Sequence, residues 1–182
     1  MIAVLARRAS PHRPRVLPLA LLMVALAGAG GCAYTTSTAA LPPHVRTIAI
    51  PTFQNETTEY AIEQSITQTV IDRFVADNHL KVVDEKSADY VVRGTLKGYR
   101  NVVFGFNTAE NAQEYRVTIV VSVTVKDAVK NREVWSDASL SRYANYFVVA
   151  VPGSPAKTEF DGRADAISKI ADEILARTVQ GW

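Results

Sequence analysis

The sequence has little of what most metal sites and disulfide-stapled folds are built from. Its 182 residues include one cysteine, Cys32, and three histidines. A lone cysteine has no disulfide partner within the chain, and a zinc or iron site would need several further ligands at close spacing. The acidic residues are instead scattered singly along the sequence. A disulfide framework is therefore excluded, and no metal site is expected.

Two common catalytic arrangements are missing as well. Beyond residues 1–31 the only histidines are His44 and His79, and neither stands in a motif that would join a nucleophile, a base and an orienting acid. Gly94 and Gly98 lie in a predicted strand that no helix follows, so they do not form a phosphate-binding loop and are more typical of a bend or bulge. We therefore expect a protein that is not an enzyme and that uses no cofactor.

Residues 1–31 are typical of an export signal. Four arginines precede an apolar run over residues 16–30, and small residues stand directly before Cys32. The run is shorter than the about 20 residues that a transmembrane helix needs, so we expect the segment to be removed. Because Cys32 has no other evident use in an exported chain, cleavage before it by a lipoprotein peptidase is favoured over ordinary cleavage near Ala27 or Ala29.

Cys32 is accordingly expected to carry a covalent N-acyl group and an S-linked diacylglycerol. Each buried CH₂ contributes about 0.8 kcal/mol, so two or three acyl chains hold a protein on a bilayer where a single chain does not. Ala33 follows the cysteine, and the lack of Asp there resembles lipoproteins that are sorted to the outer membrane. We expect a protein that is lipid-anchored in the cell outer membrane and faces the periplasm.

The rest of the chain has the size of one domain. Residues 32–43 comprise the acylated cysteine and a small, polar and then prolyl stretch that predicts a flexible tether, and residues 44–182 are enough for a single core. Cleavage would remove four of the 20 basic residues and none of the 18 acidic ones, which leaves a net charge of −2. The pI near 8.7 is therefore no reason to expect a nucleic-acid partner.

Hydrophobic periodicity predicts an α+β fold. Apolar residues recur at helical spacing in two stretches, 62–75 and 167–178. Strand-like stretches are found at 45–50, 80–83, 88–99, 115–126 and 133–146. The order β-α-β-β-β-(β)-α predicts two amphipathic helices packed on one face of a four- to five-stranded, mostly antiparallel mixed sheet, with the other face exposed to water.

The exposed face of this sheet is predicted to be cationic. Four basic residues alternate there with threonines and a serine rather than with carboxylates: Arg93, Lys97, Arg116 and Lys126. The same alternation places Tyr99 on the exposed face. On a chain of net negative charge, this local excess predicts an anion-binding surface. The alternative is that lysine and threonine serve only to discourage aggregation of a wet sheet.

Two predicted loops are apolar where loops are usually polar. Residues 101–111, between the first two long strands, include Phe104 and Phe106, and the loop after the last strand includes Phe147 and Val149. Such residues are predicted to dock into another protein or to touch lipid. The alternatives are that both loops fold back on the core or that the strands extend further than the alternation indicates.

Four stretches, taken in order, resemble the LptE family of lipopolysaccharide-assembly lipoproteins. They are IAIPTFQNETTEYAIEQSITQTVIDRF, ADYVVRGTLKGYR, EYRVTIVVSVTVKDAVKNREVWS and AISKIADEILARTVQGW. The resemblance implies a non-enzymatic plug and assembly partner of the LptD-type outer-membrane β-barrel, which helps lipopolysaccharide reach the cell surface. The expected partners are that barrel, lipopolysaccharide and outer-membrane lipid.

The main alternative is an outer-membrane lipoprotein that regulates a periplasmic cell-wall synthase. Such regulators also place a small α+β domain behind a tether. About eleven residues after the cysteine reach at most about 37 Å when fully extended, which is short for a protein that must cross to the cell wall. The tether length therefore favours the lipopolysaccharide-assembly hypothesis.

Overall fold

Three long strands and two helices account for most of residues 41–180, the part of the chain that the computed structural model describes. The strands are β1 (Thr47–Ala49), β2 (Gln54–Asn55), β3 (Lys81–Val82), β4 (Tyr90–Phe106), β5 (Ala112–Asp127) and β6 (Arg132–Phe147). The helices are α1 (Ile62–Asp77) and α2 (Glu159–Val179). The expected signal peptide and the lipidated Cys32 lie outside the described residues.

All the strands of this part belong to one mixed sheet. Its order is β3-β1-β4-β5-β6, and β2 pairs with β4 further along that strand. Strands β4, β5 and β6 form an antiparallel meander, while β1 runs parallel to β3 and β4. The predicted α+β class is confirmed, and the count of six strands exceeds the predicted number because β2 is a separate two-residue strand.

Both helices bury their apolar stripes against one face of the sheet. Helix α1 buries Ile62, Ile66, Val70 and Phe74, which are the residues whose four-residue spacing predicts it. Strand β5 buries every second residue from Val117 to Val125 in the same core. Because fully burying a Val, Ile or Phe side chain contributes about 1.5–3 kcal/mol, this core holds the helices on the sheet. Neither helix of residues 41–180 has the length and apolar character that a membrane crossing requires.

A β-bulge at Lys97 reverses which side chains of β4 face the helices. The register passes from Leu96 opposite Val121 to Gly98 opposite Val120, so Lys97 is the additional residue. A bulge shifts the in–out alternation by one position. The prediction that Tyr99 lies on the exposed face is therefore wrong.

Tyr99 lies instead on the helix side, opposite the buried Ile119. Its hydroxyl donates a hydrogen bond to Glu159 at the start of α2 and accepts one from Arg163. Burial, and then the bond to Glu159, raise the pKa of Tyr99 to about 12. The hydroxyl therefore remains a donor at neutral pH and ties β4 to helix α2.

Candidate interaction surfaces

The long strands give the domain two opposite ends. The chain comes in at one of them, the entry end, where His44 Nε2 lies 2.9 Å from Asp127 Oδ2 at the end of β5. The other, the hairpin end, is the turn at residues 107–111 between β4 and β5. Strand β5 has 16 residues. At about 3.3 Å per residue the two ends are about 50 Å apart.

Two carboxylates fix the chain at the entry end. The N–H groups of Arg46 and Thr47 donate to Asp89, and hydrogen bonds from Arg46 and Thr47 hold the pKa of that carboxyl below its usual range. Burial would raise the pKa of Asp127, but hydrogen bonds from Lys130 and His44 outweigh it and lower that pKa. Both groups are therefore ionised at neutral pH.

The end of the predicted tether belongs to the packed domain. Leu41 lies within residues 32–43, and its side chain packs against the core cluster. The N–H of Val45 donates to the carbonyl of Pro42, which closes a turn just before β1. Residues 41–43 of the predicted tether therefore belong to the domain.

The hairpin end exposes apolar side chains. Strand β4 continues to Phe106 and β6 to Phe147, so the alternative that the strands extend further than predicted is correct. Phe104, Phe106 and Phe147 are strand residues rather than loop residues, and Val149 lies in the bend after β6. Phe104, Phe106 and Val149 are 49%, 66% and 57% exposed, so they do not fold back on the core.

The two apolar segments meet at this end, on either side of β5. Phe106 is opposite Ala112, Phe147 is opposite Glu114, and the N–H of Val148 donates to the carbonyl of Gln113. The hairpin-end patch is defined here by seven apolar residues: Val102, Val103, Phe104, Phe106, Phe147, Val148 and Val149. Six of them, all but Phe147, are exposed, and exposed apolar residues grouped at one end of a domain are typical of a contact surface.

Two of the four predicted cations have carboxylate partners. Arg93 forms an ion pair with Glu85, and Lys97 Nζ lies 2.7 Å from Glu56 Oε1. Both carboxylates come from segments outside the long strands. The net positive charge that these two positions offer to a ligand is therefore small.

Arg116 lies between two aromatic rings. Its guanidinium carbon is 3.6 Å from the ring centre of Phe104 and 4.2 Å from that of Tyr143. The Arg116 Nε donates to Asn145 Oδ1 at 2.8 Å, and the Asn145 amide donates to Glu114. Cation–π contacts and the hydrogen bond hold this guanidinium in one orientation beside the hairpin-end patch.

The four predicted cations do not form one cluster. Lys126 is opposite Val91 in the register and Arg93 is two residues further along β4, so these two are diagonal neighbours near the entry end. Lys126 forms no ion pair with any residue of the described range. Arg116 is ten residues away along β5, about 33 Å at the usual rise per residue.

Arg100 is a cation of the exposed face that the sequence pattern misses. Because of the bulge, it is opposite Thr118 on the exposed face and diagonal to Arg116. It forms no ion pair within residues 41–180. Together with Gly98 and Val120, Arg100 and Thr118 line a shallow depression of about 210 Å³. In the sequence, Gly98 is the residue that indicates a bend or bulge here, and it is the signal that could have revealed the position of Arg100.

In the part of the chain that the structure describes, the side chains that could bind a metal ion are dispersed. Within residues 41–180, no three His, Cys, Asp or Glu side chains are grouped so that they could hold a metal ion.

Two solved structures with a TM-score above 0.5 show that the fold recurs. A Chlamydia trachomatis hypothetical protein matches with a TM-score of 0.52 at 12% identity, over 73% of this chain and 95% of that one. A Xanthomonas campestris protein matches with a TM-score of 0.54 at 11% identity, over 77% of this chain and 90% of that one. The rare lipoprotein B of Shewanella oneidensis gives a TM-score of 0.42 at 16% identity, over 70% and 90% of the two chains.

The sequence itself identifies the family. None of the curated proteins matches the chain. The model of the LptE family, described as lipopolysaccharide-assembly, matches residues 45–179, which include every strand and helix described above. The chain therefore belongs to the LptE family of lipopolysaccharide-assembly lipoproteins.

Proposed function

We propose that this protein is the outer-membrane lipoprotein of a lipopolysaccharide translocon, where it serves as plug and assembly partner of an LptD-type β-barrel. Cys32 carries the lipid anchor, and the hairpin-end patch contacts the barrel. The observation that supports this proposal most directly is the convergence of the two apolar segments at one end of the sheet. The family supplies the pathway, and the patch supplies the contact surface.

Two features favour a protein over a bilayer as the partner of this patch. The turn that leads the hairpin, residues 107–111, is polar and includes Glu110, whose burial in hydrocarbon would be costly. The nine Cα–Cα steps from Cys32 to Leu41 span at most about 32 Å, whereas the hairpin end is about 50 Å from the entry end. A lipid at Cys32 therefore cannot reach the hairpin end along the sheet.

The first test is recovery of the full-length lipidated protein from detergent-solubilised membranes through an affinity tag. We expect a large β-barrel protein to be recovered in roughly equal amount. Recovery of peptidoglycan enzymes alone would instead favour the regulator of a cell-wall synthase. The untagged strain is the control.

We also propose that the exposed sheet face binds the phosphate groups of lipopolysaccharide. The candidates from the sequence are Arg93, Lys97, Arg116 and Lys126, and the bulge adds Arg100. Arg93 and Lys97 are paired with Glu85 and Glu56, and a phosphate would have to compete with these carboxylates. Arg93 and Lys97 are therefore weaker phosphate ligands than Arg100 and Arg116. An ordered guanidinium beside an apolar patch suits a ligand that has both phosphates and acyl chains.

Charge reversal separates the contributions of these cations. Because charge-assisted hydrogen bonds contribute about 1.5–3 kcal/mol, R100E/R116E is expected to weaken binding by about tenfold or more. R93E/K97E is expected to have a smaller effect, and the variant with all four original positions reversed (R93E/K97E/R116E/K126E) a large one. The measurement is binding of fluorescent lipopolysaccharide, with circular dichroism to show that the variants are folded. Unchanged binding in every variant would eliminate the phosphate-binding proposal and leave the family assignment unaffected.

A further inference from the structure

The outer edge of β4 lacks a strand partner near the hairpin end. Strand β1 pairs with Tyr90 and Val91, and β2 pairs with Thr95 and Leu96. The last backbone bond on this side runs from the N–H of Glu56 to the carbonyl of Leu96. Over residues 98–106, the side of β4 that faces away from β5 has no backbone partner in the described part of the chain.

The register indicates which backbone groups point outward along this edge. On β6, the carbonyl of Tyr143 accepts a bond from Lys169 Nζ, so Tyr143 faces away from β5. Tyr143 is opposite Thr118, and Thr118 is opposite Arg100. In an antiparallel ladder, the backbone N–H and C=O groups of successive residues point to alternate sides of the strand. Because the backbone groups of Tyr143 point away from Thr118, those of Thr118 point towards Arg100, and those of Arg100 point back towards Thr118. The neighbours of Arg100 at 99, 101 and 103 therefore direct their N–H and C=O groups outward.

The opposite edge of the sheet is better protected than residues 98–103 of β4. Strand β6 has two register irregularities, Lys169 covers its Tyr143 carbonyl, and Arg142 donates to the carbonyl of Ser141. Bulges and cationic side chains of this kind discourage the addition of another strand. On β4, residues 98–103 (GYRNVV) pair with β5 without a register shift, and they contain no proline and a single charge, Arg100. A regular strand edge without proline favours pairing with an added strand.

We propose that residues 98–103 of β4 accept an added β-strand from the barrel partner. This rests on the proposed function and specifies how the contact is made. The strands of a closed barrel wall have no free edge, so the added strand is an extended segment outside the wall. Its side chains are apolar where they meet Val102 and Val103, and one is acidic opposite Arg100, which has no ion pair within residues 41–180.

Charge and hydrogen bonding disfavour the other occupants. In a second copy of this chain, residues 98–106 contain no acidic side chain and could not neutralise Arg100. Acyl chains would leave the outward N–H groups at 101 and 103 without an acceptor, which is costly in hydrocarbon. A strand of a different protein satisfies both the charge and the backbone.

The test removes one outward N–H group of β4 and leaves the hydrogen bonds between β4 and β5 in place. Val103→Pro removes the N–H at 103 from the outer edge, where proline is tolerated in a sheet. Val103→Thr keeps the shape of the side chain and the N–H. Ser141→Pro makes the same backbone change on β6, two residues from the outward-facing Tyr143. Each tagged full-length variant is produced beside the wild-type copy, and the co-purified barrel is quantified.

We expect Val103→Pro to reduce the recovered barrel by about tenfold, with Val103→Thr and Ser141→Pro close to wild type. Thermal unfolding of each variant shows whether a loss reflects misfolding, and a photo-reactive residue at Val103 then tests the contact in an unaltered strand. Undiminished recovery with Val103→Pro, or an adduct of Val103 only with lipid or with a second copy, would overturn the inference. Failure of the wild-type protein to recover any barrel would instead contradict the proposed function.

Discussion

Aspartates in place of Phe104 and Phe106 are expected to reduce co-purification of the barrel partner by about a hundredfold or more. Truncating a central aromatic residue of an interface costs about 2 kcal/mol or more, and burying a new charge at position 106 against the partner adds to that. Phe104 is 49% exposed and Phe106 is 66% exposed, so their replacement leaves the core intact. The amount of barrel recovered with tagged full-length F104D/F106D, relative to wild type, is the measurement.

The matched control places the same charges at the other end of the sheet. Val129 and Val134 are also exposed, at 62% and 37%, and lie in and next to the β5–β6 turn. V129D/V134D is expected to recover the barrel as well as wild type does. Equal recovery of the barrel with both double variants would show that the hairpin-end patch is not the contact surface.

The second large effect is on folding. A Cβ added to Gly94 would lie 2.1 Å from the ring of Phe53, a separation that atoms cannot adopt. Phe53 is 2% exposed, and its N–H donates to Thr67 Oγ1, so neither its ring nor its backbone is free to move. Gly94→Val is therefore expected to lower the free energy of unfolding by about 3 kcal/mol, near the upper end for overpacking.

Gly98→Val provides the comparison within the same strand. A Cβ at Gly98 would meet Val120 at 3.7 Å, which is ordinary van der Waals contact. The two variants are compared by denaturant unfolding followed by circular dichroism. We expect a clearly lower midpoint for Gly94→Val and a midpoint near wild type for Gly98→Val. Similar midpoints would mean that the close approach of Phe53 to β4 does not hold.

The periodic parts of the fold could be predicted from sequence because each has one buried face. The spacing of Ile62, Ile66, Val70 and Phe74 locates α1, and the alternation from Val117 to Val125 locates the buried face of β5. One-sided burial imposes a period of 3.6 on a helix and of two on a strand. Where that condition holds, the prediction is confirmed.

Prediction failed where the chain departs from one-sided burial. Val102 and Val103 are consecutive strand residues that point to opposite faces, and both are exposed, so neither face is fully buried at this point. The sequence pattern there resembles a loop. The bulge at Lys97 exchanges Tyr99 and Arg100 between the faces, and a single extra residue leaves no mark on the composition of the strand beyond Gly98.

The net charge that the cations of the exposed face offer to a ligand depends on contacts between residues that are far apart in sequence. Glu56 is 41 residues from Lys97, and it reaches that side chain only because β2 pairs with β4. Strand periodicity carries no information about such a partner. The same holds for the approach of Phe104 and Tyr143 to Arg116, which joins three strands at one point.

We propose that the protein works by docking its hairpin end on a β-barrel. Photo-cross-linking in intact cells from a reactive residue at Phe106, with one at Val129 as control, tests it most directly. We expect an LptD-type barrel protein to be the main adduct of position 106 and to be absent from position 129. Adducts of position 106 confined to a cell-wall synthase, or to lipid, would contradict the claim.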